Sequence, residues 1–395
     1  MAGTVVVGNV STEEPVPDER VVDMDEKIRV LDPNETQFTT MSSRAGAKQA
    51  IREKVNWLEE DDFPRLTSSL NAQLVGDTTI VLPAGGGKLV QANDLLRNMR
   101  TGEGIRITVV ATDTLTVARG IGSIAAAAIN AGDSLLVVSD AQPQGSDFPT
   151  SRYLARVLGY NYTQIIRTPW TFTGTMTAIE LYGGREPGKE AVRKAKEHKR
   201  KLEAIGFWGM RSFTASSVAP AGNTEPQGTC GGAIEYIQTF KQDANGPLTP
   251  DFFDSFANSV FQYGGQNKVL FASPLVVASM SKWNRSGMGS QWEPTPQNVH
   301  GVQVTAFISG AYGYRIPVVV KKEFGRFPTT NKGYGTYAFL LDMDYIERRP
   351  LRDRDTKLLT EQQPKGKDTY AAEYFCETSW EFACEQAHGI LFGVS

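Results

Sequence analysis

The chain has 395 residues, 40% apolar and 22% charged, and its 41 basic and 44 acidic side chains leave a net charge of −3. The length suggests roughly two or three domains. The charge balance excludes a strong overall pull toward nucleic acid, and no run approaches the roughly 18 apolar residues that a membrane helix requires. Cys230, Cys376 and Cys384 make no even framework and fit no zinc spacing, so free buried thiols in a reducing compartment are expected. The start, MAGTVVVGNVSTEEP, lacks the pattern of a secretion signal. His198, His300 and His388 lie far apart, and no HExxH, GxSxG or Cys–His cluster occurs. Metal, triad and cofactor chemistry are therefore not expected.

Residues 1–45 read as an arm. STEEPVPDERVVDMDEK (11–27) is acidic and proline-punctuated, and turn chemistry begins DPNETQFTTM at Asp32-Pro33-Asn34. Such a segment must lean on another body, such as another subunit. Residues 71–140 are β-rich, with runs at 78–82, 105–111, 114–118 and 134–138, and Thr112-Asp113 is placed for a hairpin. A small barrel or sandwich is expected there.

The segment 184–209 is the clearest helix. Ala191, Ala195, His198, Leu202 and Ile205 fall on one face, and Gly206 or Gly209 can end it. The other faces carry Lys189, Arg193, Lys194, Lys196, Lys199, Arg200 and Lys201. Residues 230–345 read as mixed α/β. Thr249-Pro250 opens one helix, KVLFAS (268–273) is a strand, and Ser273-Pro274 opens a second helix. Strands are expected at 302–308, 314–320 and 336–346. The tail 374–385, YFCETSWEFACE, alternates as one long strand, with Glu377, Glu381 and Glu385 expected to face solvent, and contact with a basic neighbour as the alternative.

Two stretches imitate nucleotide sites. Gly120-x-Gly122-x-x-Ala125 follows a strand and precedes Asp140, the outline of a dinucleotide-binding βαβ unit. Eleven positions separate Gly122 from Ser134, and Asn130-Ala131-Gly132-Asp133 is turn-like. The remaining SIAAAAI would make a helix of about 10 Å, too short to return the chain along a strand of about 16 Å. Ala125–Ala128 are expected to form a compact turn. PAGGGK (83–88) has Leu82 and Leu89 where a phosphate loop needs glycine and a hydroxyl, so a flexible β-turn is expected. Asp342, Asp344 and Glu347 cluster with Arg348, Arg349, Arg352, Asp353, Arg354 and Asp355. Mixed charge at that density suits an ion-pair network at a subunit boundary, with Glu347, Arg348, Arg349, Arg352, Asp353 and Arg354 as its members, better than a catalytic dyad.

The order of segments then carries a resemblance. WLEEDDFPRLTSSLNA (57–72), NYTQIIRTPWTFTGT (161–175), KAKEHKRKLE (194–203), GTCGGAIEYI (228–237), LLDMDYIERRPLRDRDT (340–356) and EYFCETSWEFACEQAHGILFGV (373–394) follow one another. This resembles the major capsid proteins of tailed double-stranded DNA bacteriophages with the Hong Kong 97-type fold, in the SU-ten-like branch. The resemblance implies an α+β fold and a structural, non-enzymatic role without cofactors. It implies an N-terminal arm at 1–45 and an extended-loop region at 46–175 that includes the β-rich insert 71–140. A peripheral domain at 176–230, with a spine helix at about 186–206, and an axial domain at 231–340 would follow. Residues 341–395 would return to the peripheral domain as long β-strands.

Partners implied are other copies in pentamers and hexamers, scaffold, portal and decoration proteins, and packaged DNA contacted without sequence preference, with no membrane. Assembly in the bacterial host cytoplasm into a virion capsid is implied. Arg193, Lys194, Lys196, Lys199 and Arg200 would then lie near the DNA on the inner face. The Lys–Asn bond that welds some related shells cannot be matched to residues here. Two alternatives stand beside this reading: a nanocompartment (encapsulin-like) shell protein, and a nucleotide-dependent soluble enzyme.

Overall fold

The computed structural model describes residues 36–45, 48–61, 63–179, 186–214, 225–285, 297–299, 302–309 and 313–395. His300 and the turn at 32–34 lie outside them. Two units divide the chain, Leu58–Leu158 and, separately, Met1–Trp57 with Gly159–Ser395.

In the second of these, the predicted long helix runs Glu186–Trp208. His198 and Leu202 are buried, and Ala191, Ala195 and Ile205 half-buried, so the apolar face is the one its spacing gives. Leu202 packs on Ile166 and Cys376 of two strands beneath it. Gly206 does not end the helix. A methyl group there would sit 2.4 Å from Cε1 of Phe38, so the missing side chain is what admits the Phe38 ring. The helix stops two residues later, and the Gly209 N–H closes the last turn on the Ile205 carbonyl at 3.0 Å.

The arm differs from expectation. Its last part, Gln37–Ala45, is a helix with a place in the chain's own core. Phe38 and Met41 stand three apart, share a face, and are fully buried. Phe38 lies 4.8 Å from the Phe207 ring and 4.9 Å from that of Trp380. The sparse apolar content of residues 1–45 concealed this, because two well-placed side chains suffice when the receiving body supplies the rest.

The helix's first turn meets the Glu203 carboxylate, which accepts from Phe38 N at 2.8 Å, Thr39 N at 2.7 Å and Thr39 Oγ1 at 2.5 Å. Those amides have no partner within the helix, and a negative charge suits that end. Lys321 donates to the same carboxylate at 2.6 Å and to Gln37 Oε1 at 3.0 Å. The Glu203 and Lys321 side chains are 1% and 0% exposed.

A seven-stranded sheet runs, in spatial order, Lys241–Gly246, Gly389–Val394, Ala338–Asp342, Lys268–Ala272, Arg315–Val320, Val302–Ile308 and Gln297–Val299. Its central strands are buried on both faces and therefore read as continuous apolar runs. Alternate residues enter different cores. Leu270, Ala272, Ala338 and Leu340 face a cluster with Phe253 and Phe256 of the helix Pro250–Phe261, while Val269, Phe271, Phe339 and Leu341 face Phe38, Phe207 and Trp380. Thr249 caps that helix as expected, accepting from Phe252 N at 3.4 Å, and a further helix spans Pro274–Arg285. The strand expected over 336–346 is broken. It ends at Asp342, where a short turn at Met343–Tyr345 redirects the chain into the strand Ile346–Pro350.

That strand belongs to a second sheet built on Thr369–Phe382. Gln164–Thr173 pairs with it over ten residues on one side, and Ile346–Pro350 and Lys357–Leu359 pair with it on the other. The long helix lies on the face that carries Ile166, Thr168, Tyr374 and Cys376.

The unit Leu58–Leu158 holds six antiparallel strands in the order Leu66–Ser68, Ser134–Asp140, Asp94–Asn98, Gly104–Ala111, Thr114–Ile121 and Thr79–Val81. A hydrogen bond from Leu70 N to Val81 O joins the two edges and rolls the sheet into a small barrel. Ile80, Leu96, Ile105, Ile107, Leu115 and Leu135 fill it. Thr112-Asp113 is the two-residue hairpin, with Thr112 at φ +54°.

Gly206→Ala tests the close approach to Phe38. Alanine favours a helix by about 1 kcal/mol, but overpacking a fixed aromatic ring costs about 1–3 kcal/mol. The expected outcome is a net loss in chemical unfolding, whereas Gly188→Ala, in open space, gains stability.

Candidate assembly and inner-surface sites

Both nucleotide-like stretches are occupied by the chain's own groups. Gly86–Leu89 is a short 3-10 turn, not a flexible β-turn, and Asp113 accepts from Gly85 N at 3.0 Å and Gly87 N at 2.9 Å. The Gly87 and Gly85 amides hold the Asp113 carboxyl below its ordinary value. An acid sits where a phosphate would, and its charge repels one.

The alanine run forms no compact turn. The chain bends at Gly122–Ile124, and Ala125–Ala128 cross in irregular conformation to a bridge between Ile129 and Gln73. The strands on either side of the run, Thr114–Ile121 and Ser134–Asp140, are separated in the sheet by two others. What fixes the crossing is a buried pair that the spacing of alanines and glycines did not reveal. Arg119 meets Glu103 through two nitrogens at 2.6 and 2.8 Å. The Glu103 carboxylate also accepts from Gly120 N and Ala127 N. Burial alone would raise the Glu103 carboxyl, but Arg119 and the Ala127 and Gly120 amides outweigh it and hold it below the usual range.

The tail glutamates are corrected by the structure. Glu377 and Glu381 are buried, as is Glu373 four residues earlier, and each meets an arginine from another segment. Arg167 bonds Glu373 at 2.6 Å, Arg354 bonds Glu377 at 2.6 Å, and Arg349 bonds Glu381 at 2.6 Å. Glu385 lies beyond the strand and accepts from Gln238 N and the Thr239 hydroxyl. Period-two alternation put Glu377 and Glu381 on the face away from the helix, as it had to. The alternative of a basic neighbour is the one the structure bears out for these two, but the alternation could not say that Arg354 and Arg349 supply it.

The residues of the predicted ion-pair cluster are therefore mostly engaged within one chain. Glu347 stands opposite Glu381 in register, and Arg349 reaches both carboxylates. Lys48 adds a bond to Glu347 at 3.0 Å. Burial raises the Glu381 carboxyl despite Arg349. Arg348 turns to the helix-covered face and bonds Asp355 at 2.5 Å and Cys376 Sγ at 3.3 Å. Arg352 and Asp353 are different: they are 3.9 Å apart, with side chains 73% and 87% exposed.

On the long helix the cations divide. Lys194 and Lys201 bond Glu197 at 2.8 and 3.1 Å, and Arg193 bonds Glu190 at 3.0 Å. Lys189, Arg193, Lys196 and Arg200 recur at steps of four, three and four, and Lys199, three on from Lys196, widens the same stripe. Lys194 stands on the flank beside its glutamate. Among the described residues, Lys189, Lys196 and Lys199 have no carboxylate partner.

The two described histidines are packing groups. His198 Nδ1 lies 3.1 Å from Thr168 Oγ1, which itself accepts from Lys201 at 3.2 Å. His388 Nδ1 accepts from Asp342 N at 3.0 Å, beside a fully buried pair of Lys268 and Asp342 at 3.2 Å. Burial depresses both imidazoles to about 4. Burial also pushes the Cys230 thiol up to about 12, which removes it from nucleophilic use.

A long helix across a hinge sheet, beside a mixed α/β unit with a sheet between two cores, is the Hong Kong 97-type capsid fold. The capsid of a native GTA particle shares it, with a TM-score of 0.50 at 10% identity over 98% of this chain and 99% of that one. The chain belongs to the SU10 major capsid protein family, whose model matches residues 3–395. It is 29% identical over 175 residues to the major capsid protein of Pseudomonas phage PaMx41, a match spanning 44% of this chain and 40% of that relative's length. The SrpI encapsulin of Synechococcus elongatus is also similar, with a TM-score of 0.44 and 10% identity over 61% of this chain and 78% of that one.

A pH dependence follows from the buried histidines. An unfolded histidine titrates near 6.5, so between about pH 6.5 and about pH 4 the unfolded chain takes up protons that the native state refuses. Stability present above that window is lost as pH falls through it, by about 3 kcal/mol for each histidine. Unfolding titrations at neutral and acid pH are expected to show this fall, and His198→Gln with His388→Gln to flatten it.

Proposed function

We propose that copies of this chain assemble into pentamers and hexamers that tile an icosahedral head around packaged double-stranded DNA. The match of residues 3–395 to a major capsid protein family carries the reading. The role is mechanical and not enzymatic. Support comes from the glycine-rich turn, whose amides are already satisfied by Asp113. Residues 1–45 serve as the arm, 46–175 as the extended-loop region with its insert at 71–140 and with its last strand, Gln164–Thr173, returning to the peripheral sheet, 176–230 and 341–395 as the peripheral domain, and 231–340 as the axial domain. Scaffold, portal and decoration proteins are the partners such a head calls for, and assembly takes place in the host cytoplasm.

In this assembly the stripe of Lys189, Lys196 and Lys199 faces DNA phosphates. Lys194 and Lys201 serve the helix itself through Glu197. Arg352 and Asp353 are the members of the ion-pair cluster left to meet a neighbour, since their side chains are the exposed ones.

The expressed chain is expected to sediment as capsomers or shells and not as a 43.2 kDa monomer. Reversing Lys189, Lys196 and Lys199 to glutamate is expected to leave assembly intact and to reduce packaged DNA or its order against the inner wall. Reversing Lys194 and Lys201 is expected to lower stability instead. Unchanged packaging in the first variant overturns the DNA assignment, and a persistent monomer overturns the shell.

A further inference from the structure

The outer wall of the barrel unit carries an apolar groove. Leu95, Ile121, Ile124 and Val138 wall it, and Gly102 and Gly104 lie at its base. Gly104 has no room for a side chain, because a methyl group there would sit 2.4 Å from the Ile121 carbonyl oxygen. Ile121, Ile124 and Val138 are exposed at 36%, 38% and 55%.

The exposed Arg97 lines the groove, and the exposed Arg106 stands opposite Leu95 of its wall. Arg97 pairs with Gly104 and Arg106 with Leu95 across adjacent antiparallel strands, so they are diagonal neighbours, about 7–8 Å apart. Four other arginines of this unit are engaged, Arg100 on Asp133, Arg119 on Glu103, Arg152 on Asp94 and Arg156 on Glu60, while Arg65 is exposed and does not line the groove. Among the described residues neither Arg97 nor Arg106 has an acidic partner. A groove of this kind fits an extended peptide with a branched aliphatic anchor and carboxylates on the same face.

The chain itself carries one. Segment 11–27, STEEPVPDERVVDMDEK, has seven acidic residues against two basic ones, with Val21-Val22 at its centre. In an extended chain Val21, Asp23 and Asp25 share a face, and Asp23 and Asp25 would stand about 6.7 Å apart, close to the separation of the two arginines. We propose that this groove binds the acidic segment 11–27 of a second copy, with Val21 in the apolar floor and Asp23 and Asp25 on Arg97 and Arg106. The inference names a contact for the shell reading and rests on it only for the supply of a second copy.

The test uses the dispersed full-length chain and a fluorescent synthetic peptide of residues 11–27, read by anisotropy. The chain carries Asp23→Asn and Asp25→Asn, so that its own segment does not compete. Saturable binding is expected, weakening as salt is raised. At least tenfold weaker binding is expected for Arg97→Glu with Arg106→Glu, and likewise for a peptide with Asp23→Asn and Asp25→Asn. Equal unfolding midpoints of the chain variants exclude misfolding as the cause. No binding to the Asp23→Asn, Asp25→Asn chain overturns the proposal. Binding that ignores the two arginines overturns it too, since the peptide then docks elsewhere. Because no shell is needed, this result and the sedimentation result stand or fall separately.

Discussion

The buried pair of Glu203 and Lys321 is the constraint on which the larger unit depends. Two ions taken out of water lose several kcal/mol of hydration each. That loss is tolerable only where their remaining hydrogen-bonding capacity is filled. Here the filling comes from the arm helix, whose first amides and Gln37 complete the site. The long helix, the seven-stranded sheet and the arm are thereby bound to one another through two side chains. Gly206 and Phe38 add the steric half of the same arrangement, a ring set where a side chain is missing.

Charges are used in this way throughout the chain. Glu103 with Arg119 fixes an irregular crossing in the barrel unit, and Lys268 with Asp342 joins two strands opposite each other in register. Three glutamates on one long strand are each covered by an arginine from a separate segment. Such pairs bind segments distant in sequence in fixed registers. That property suits a body which must keep its shape while large surfaces are loaded by neighbours.

Much of the fold was legible in the sequence. The long helix, its buried face, the Thr249 cap, the Thr112-Asp113 hairpin and most core strands follow from period and turn chemistry, which are local. The misses have a common cause. Gln37–Ala45 has too few apolar residues to announce a core helix, and only Glu203 and the space at Gly206, some 165 positions away, explain it. The buried state of Glu377 and Glu381 depends on Arg354 and Arg349, and the course of Ala125–Ala128 depends on Glu103. The strand Asp94–Asn98 was missed because Asp, Arg and Asn occupy three of its five positions, although Asp94 and Asn98 are buried and satisfied by polar neighbours. The basic residues that the sequence sets near DNA, Arg193, Lys194, Lys196, Lys199 and Arg200, do lie on one helix, but the pairing of Lys194 with Glu197 needed coordinates.

A double-mutant cycle on Glu203 and Lys321 tests the account most directly, with unfolding free energy and amide exchange at Phe38 and Thr39 as readouts. Glu203→Gln and Lys321→Met are each predicted to cost about 3–5 kcal/mol. The double variant should cost clearly less than their sum, and both amides should lose protection in Glu203→Gln. Single variants within about 0.5 kcal/mol of the parent, with protected amides and additive effects, would contradict the account.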